Sequence, residues 1–181
     1  MDGTDASTDF RDDNGTGRSA VGVSAENDAQ IDTAQSKFGG SSALFDGTQD
    51  YLEFSGSQFA YGTDDFTIET WVRFDIVNKQ QHIFDARTQQ NEATPLIYLT
   101  SAGKLNYFVN NSVRITGTTV LSTNTWYHVA LSRSSGTTKL FIDGTQEGSD
   151  YSDSVSYIEG APKIGYYYFT ANVGLDGYVD E

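Results

Sequence analysis

The chain contains no cysteine, two prolines, one methionine and two histidines. Without cysteine there is no disulfide staple, no thiolate zinc site and no thiol nucleophile. His82 and His128 stand far apart along the chain, which excludes a multi-histidine metal centre. Basic residues are also scarce: 11 Lys+Arg against 25 Asp+Glu give a formal charge of −14 at pH 7. Such a balance argues against nucleic acid and anionic membrane surfaces, since both are bound through Lys and Arg. No apolar run approaches the ~18 residues of a membrane-spanning helix, so no membrane insertion is expected. The opening MDGTDASTDF lacks both a basic n-region and an apolar h-region, so no signal peptide is visible.

What is present points to strands. The 181 residues fit one domain, and 18 glycines with 11 tyrosines and 11 phenylalanines favour pleated surfaces joined by tight turns. In FTIETWVRF (66–74), Phe66, Ile68, Val72 and Phe74 fall on one side, and Thr67, Glu69, Trp71 and Arg73 on the other. QHIFDAR (81–87), PLIYLT (95–100), KLNYFVN (104–110) and SVRITG (112–117) follow, with Asn110-Asn111 as a turn. WYHVALSR (126–133) and TTKLFIDG (137–144) read as a long hairpin. SALFDG (42–47) and YLEF (51–54) read as a pair around Gly47, and PKIGYYYF (162–169) and LDGYVDE (175–181) complete the set. The pattern predicts roughly twelve strands, all-β and antiparallel, in a two-sheet β-sandwich. Asp2-Gly3, Asp46-Gly47, Asp143-Gly144 and Asp176-Gly177 read as turn signals. No composition shift marks a boundary, so residues 1–181 are read as one domain with a loop-rich stretch over 1–20.

The segments FGGSSALFDGTQDYLEF (38–54), DFTIETWVRF (65–74), WYHVALSRSSGTTKLFIDG (126–144) and PKIGYYYF…LDGYVDE (162–181) resemble, in order and spacing, the laminin-G-like, concanavalin A-like jelly-roll domains. The resemblance implies the concanavalin A-like lectin/glucanase sandwich. AQIDTAQSKFGGSSALFDG is also similar to modules of phage and marine viral structural proteins, such as a tail fibre, which implies an extracellular or virion-surface location. In such domains the last strand runs on past GYVDE, whereas here it stops at Glu181, so a truncated final strand is expected. Gly39-Gly40 lets the backbone turn before SALFDG, and Ile68 and Val72 are expected to pack against Val129 and Leu131.

Four site chemistries bear on these residues. Hydrolysis of a glycosidic bond with retention needs two carboxylates about 5–5.5 Å apart. Hydrolases of this jelly-roll carry an E-x-D-x-x-E strand, but Glu69 has Trp71 and Arg73 as its i+2 and i+4 neighbours, so an enzyme is not expected. His128 is expected on a strand, half-buried. Calcium needs six to eight oxygens. Asp9, Asp12 and Asp13 crowd one loop and Asp176 and Asp180 the C-terminal segment, and in related jelly-rolls calcium is held at a rim where the termini meet, so these five are the candidate ligands. A glycan site needs an aromatic platform beside groups that bond hydroxyls. Tyr166, Tyr167 and Tyr168 cannot all be buried, Tyr107 lies near Asn110 and Asn111, and Asp85 and Arg87 share a strand; these eight are the candidate ligand-binding residues. The same exposed aromatics suit a protein interface.

The reading that results is a non-enzymatic recognition or adhesion module that binds carbohydrate or a surface protein, within a viral or extracellular structural protein. The alternative is a decoration or assembly domain without a glycan ligand, either self-associating or packed in a larger assembly.

Overall fold

The computed structural model describes residues 3–11, 21–55, 59–89, 92–166 and 173–181. Its strands are β1 (Gly22–Glu26), β2 (Gln30–Asp32), β3 (Ser42–Asp46), β4 (Tyr51–Ser55), β5 (Phe66–Phe74), β6 (Gln81–Asp85), β7 (Leu96–Leu99), β8 (Leu105–Val109), β9 (Ser112–Thr116), β10 (Trp126–Ser134), β11 (Thr137–Ile142), β12 (Thr145–Ser152), β13 (Lys163–Ile164) and β14 (Asp176–Asp180). They form two 7-stranded sheets. Sheet A runs β1-β4-β13-β6-β7-β8-β9 and sheet B runs β12-β11-β10-β5-β14-β3-β2, and every ladder among the described residues is antiparallel. The chain is thus the two-sheet antiparallel β-sandwich that the alternation predicts.

Alternation on β5 and β10 builds the inner wall of sheet B. Leu131 faces Ile68, Val129 faces Thr70 and Tyr127 faces Val72, so the apolar members share one side. Sheet A supplies Leu52, Phe84, Ile97, Leu99, Leu105, Tyr107, Val109 and Ile115, all buried in one core with Phe45, Phe74, Leu140 and Leu175. The hairpin turns carry the residues their geometry demands. Both Asn110 (φ 48) and Asn111 (φ 56) are left-handed between β8 and β9, as are Asp143 (φ 49) and Gly144 (φ 76) between β11 and β12.

Four expectations need correction. The segments 42–47 and 51–54 are neighbours in sequence but not a hairpin: β3 pairs with β14 and β2 in sheet B, and β4 pairs with β1 and β13 in sheet A. The turn at Gly47 carries the chain across the core, and Asp50 fixes it by accepting the Asp46 and Asp28 amides at 3.0 and 2.9 Å. Asp176-Gly177 is not a turn but lies inside β14. A Cβ at Gly177 (φ +143) would meet the Arg73 carbonyl oxygen at 2.1 Å, so glycine is needed because β14 closes tightly on β5. β1, β2 and β12 add strands that the apolar runs did not mark; in TQEGSDYS the strand is polar and interrupted by Gly148. Of PKIGYYYF, only Lys163–Ile164 is strand among the described residues, and Tyr167, Tyr168 and Phe169 lie outside them.

A buried polar network ties the two sheets together at one end. Arg133 of β10 donates from Nη1 to the Val155 carbonyl and from Nη2 to the Asp153 carbonyl, both at 2.9 Å. Asp153 Oδ2 accepts the Thr138 and Tyr157 hydroxyls at 2.6 Å each, and Oδ1 accepts the Val155 amide at 3.0 Å. The Tyr157 hydroxyl is hydrogen-bonded in turn to that of Tyr107 on β8. Burial pushes both phenols well above the ordinary tyrosine range. Tyr107 is fully buried in this network, so it is a core residue and offers no surface platform, contrary to the expectation from sequence.

Candidate functional site

The outer face of sheet A follows from its ladders, because residues directly opposite across an antiparallel pair share a face. One row crosses the sheet as His82, Tyr98, Asn106 and Thr116. The next runs Glu53, Lys163, Asp85, Leu96, Phe108 and Val113. A sheet face turned away from the core is ordinarily wet, yet here His82 (1% exposed), Asp85 (2%), Arg87 (4%), Asn106 (7%) and Lys163 (9%) are all buried. The polar groups on this face are held by one another.

Arg87 grips Asp85 through two parallel bonds, Nε to Oδ1 and Nη2 to Oδ2, both 2.8 Å, and its amide adds a third at 3.0 Å. Its guanidinium lies 5.3 Å from the Phe108 ring centre. Burial raises the cost of charge on Asp85, but the bonds from Arg87 and His82 outweigh it and hold the carboxyl below the ordinary aspartate range. His82 lies with Nδ1 3.5 Å from Asp85 Oδ2 and its Nε2 3.0 Å from Gln80 Nε2. The Gln80 amide donates, which leaves the imidazole proton on Nδ1 beside Asp85. Burial keeps this imidazole neutral by pushing its pKa down. The ring stacks on Tyr98 at 5.5 Å. Asn106 Nδ2 donates to the Tyr98 hydroxyl oxygen at 3.0 Å. Toward the other edge, Lys163 Nζ donates to Glu53 Oε1 at 2.9 Å, and Tyr51 stacks on Tyr166 at 5.4 Å.

Of the ligand-binding candidates, the structure thus brings Asp85, Arg87 and Tyr166 to one sheet face. Tyr107 is in the core, Tyr167 and Tyr168 lie outside the described residues, and Asn110 and Asn111 are exposed turn residues at the β8–β9 end of the sheet. Sequence reasoning missed His82, Tyr98, Asn106, Lys163 and Glu53. A signal existed for Asn106: Leu105 and Val109 are two residues either side of Tyr107, which puts Tyr107 with the apolar set and Asn106 on the opposite face.

The acidic candidates do not converge. Asp9 is paired with Arg11 at 2.7 Å on the surface. Asp180 is fully buried and accepts the Lys37 and Phe38 amides at 2.8 and 2.9 Å, a structural anchor rather than a metal ligand on the rim. Asp176 lies 3.6 Å from Lys79. Asp12 and Asp13 lie outside the described residues. The carboxylates that do meet are Asp28, Asp46 and Asp50, with an oxygen of each within 4.8 Å of the others. Burial, with the nearby Asp46 charge, pushes Asp50 up. Three carboxylates begin an oxygen shell of the kind calcium takes, although Asp50 already bonds two amides and Asp46 already bonds Thr48. Glu69, on the outer face of sheet B, has His128 Nε2 3.4 Å from its carboxylate, rather than a second carboxylate.

A family model described as the concanavalin A-like lectin/glucanases superfamily matches residues 46–181. No curated protein sequence matches the chain. Among solved structures, domain 4 of an extracellular arabinanase from Geobacillus stearothermophilus, in complex with arabinotriose, is similar with a TM-score of 0.66 and 16% identity over 89% of this chain and 79% of that one. A carbohydrate binding module from Bacillus subtilis aligns with a TM-score of 0.50 and 18% identity, covering 87% of this chain and 90% of that one. The receptor binding domain of a botulinum neurotoxin C/D mosaic serotype aligns with a TM-score of 0.62 and 15% identity over 90% of this chain, which spans 40% of that domain's chain. At these identities the likeness is one of fold.

Proposed function

The chain belongs to the concanavalin A-like lectin/glucanases superfamily, and from that premise we propose that it is an extracellular carbohydrate-binding module without catalytic activity, whose ligand lies on the outer face of sheet A. The observation that carries this reading is the shut-away polar row on an outward sheet face, where His82, Asp85, Arg87 and Asn106 are buried beside the rings of Tyr98 and Phe108. Core packing alone would have filled such a face with apolar or solvated residues. Rings flanked by fixed donors and acceptors are the equipment that sugars need, because a pyranose or furanose offers an apolar face and a rim of hydroxyls. The arabinotriose complex and the Bacillus subtilis module support the class of ligand by analogy of fold.

A glycan array and sedimentation with insoluble polysaccharides test it. Binding is expected, and Thr116→Arg, which places a bulky cation at the exposed end of the row, should abolish it. Thr67→Arg, on the outer face of sheet B, should leave it intact. Absence of binding to every glycan overturns the reading, and release of sugar from a polysaccharide overturns its non-catalytic half.

The second reading, an assembly module, is favoured by one patch on sheet B. Phe38 is 42% exposed and meets Trp71 edge-on at 5.7 Å, with Lys37 Nζ 3.9 Å from the Trp71 ring centre. Self-association in light scattering, lost in Phe38→Ser, would support it, and a monomer at micromolar concentration counts against it.

A further inference from the structure

On sheet B, away from the carbohydrate face, we propose a binding corner for a quaternary ammonium group, formed by the rings of Phe38 and Trp71. The Phe38 ring stands edge-on to the indole at 83°, with ring centres 5.7 Å apart, so the two make adjoining walls. An ammonium already sits between them: Lys37 Nζ lies 3.9 Å from the Trp71 ring centre and 5.8 Å from that of Phe38. Both distances are within reach of a cation–π attraction. Among the described residues no acid and no hydrogen-bond acceptor pairs with that ammonium, so ring faces alone hold it. The chain supplies its own stand-in for the ligand.

Charge around the corner favours a cation. Glu69, two residues before Trp71 on the same side of β5, has a carboxylate whose side chain is 60% exposed. Asp180 stands opposite Trp71 across the β14 ladder. Asp180 also fixes the corner, because its Oδ2 accepts the amides of both Lys37 and Phe38. His128 braces the indole from β10, with ring centres 5.3 Å apart. The walls are therefore in place before a ligand arrives, and Phe38, 42% exposed, leaves them open to solvent. An anion entering here would meet carboxylates instead.

A quaternary ammonium displaces Lys37 for a physical reason. A lysine ammonium is compact, strongly hydrated and carries three donors, none of which finds an acceptor in this corner. A trimethylammonium has no donor to satisfy and spreads its charge over methyl groups that lie flat against ring faces. Lys37 swings back to water on its flexible stem, and its departure breaks no hydrogen bond and no ion pair.

An NMR titration that follows the Trp71 indole N–H, with choline and with the uncharged carbon isostere of choline, tests the proposal. Choline should shift the resonance saturably and the isostere should not. Lys37→Ala, which removes the resident ammonium, should tighten choline about fivefold, and Phe38→Ala, which removes one wall, should weaken it about fivefold. Urea midpoints confirm that both variants are folded. No saturable shift with choline in Lys37→Ala overturns the proposal. So does an equal response to the uncharged isostere, or unchanged choline affinity in Phe38→Ala. None of these outcomes touches the carbohydrate reading, which the glycan array decides by itself.

Discussion

Two buried polar clusters sit in this sandwich, and they differ in where they lie. The Arg133–Asp153–Tyr157–Tyr107 network lies inside, between the sheets. Both carboxylate oxygens of Asp153 and both terminal nitrogens of Arg133 have partners, while the buried Arg133 Nε, 3.8 Å from Asp153 Oδ2, makes no hydrogen bond among the described residues. The cluster built on His82, Asp85, Arg87, Tyr98 and Asn106 lies on an outward face and ends on the Asn106 amide, whose Nδ2 donates to the Tyr98 hydroxyl oxygen. A network between the sheets couples them, whereas one on an outward face can meet something outside the fold. The contrast predicts that the first set of residues controls stability and the second controls affinity.

The most severe way to break that contrast is Asp153→Ala, which strands the Arg133 guanidinium at 3% exposure. A loss of about 3–5 kcal/mol in urea denaturation is expected, with glycan affinity unchanged in whatever remains folded. Removing one hydroxyl from each cluster sharpens the comparison. Tyr157→Phe should cost about 1–3 kcal/mol, because Asp153 and Tyr107 both lose a buried partner. Tyr98→Phe, at a half-buried position, should cost under ~0.5 kcal/mol and register in binding instead.

A smaller effect separates the clusters by pH. The His82 pKa lies below its ordinary 6.5 because burial disfavours the cation. Above pH 6.5 the imidazole is neutral in folded and unfolded chains alike and contributes no pH dependence. Below it the unfolded chain takes up a proton that the folded chain refuses, so stability falls as pH falls through this window. The slope is at most about 1.4 kcal/mol per pH unit. His82→Gln should flatten that limb, and Tyr157→Phe should not. The least effect is expected at Asn111→Gly, since glycine also accepts φ 56; stability should move by under ~0.5 kcal/mol and glycan binding should not change, as befits a turn residue.

Much of the fold was legible because the strongest strands alternate cleanly. FTIETWVRF and WYHVALSR state their inner and outer faces residue by residue, and their pairing in sheet B matches that statement. What alternation does not encode is which sheet a strand joins, so SALFD and YLEFS looked like a hairpin although a tight turn carries the chain from one sheet to the other. Polar strands such as TQEGSDYS gave no apolar signal and became visible only through their ladder to β11. The candidate site was less legible for a related reason. Asp85 and Arg87 were visible as an acid and a base two residues apart, although β6 ends at Asp85 and Arg87 lies just beyond it, but His82, Tyr98, Asn106 and Lys163 come from four strands whose order is set by register. Aromatic count drew attention to Tyr107, while the parity of its strand had already assigned it to the core.

The position of β14 has a consequence in time. It is the last strand of the described chain, yet it lies between β3 and β5, so each of its edges is paired with a strand made long before it. Until residues 176–180 are made, no ladder can join β2 and β3 to β5, β10, β11 and β12. The closing contacts join residues far apart in sequence, Val179 and Ala43 among them. During that interval β3 and β5 both present open edges, and the wait leaves them available to a second copy before the chain's own last strand can fill the gap.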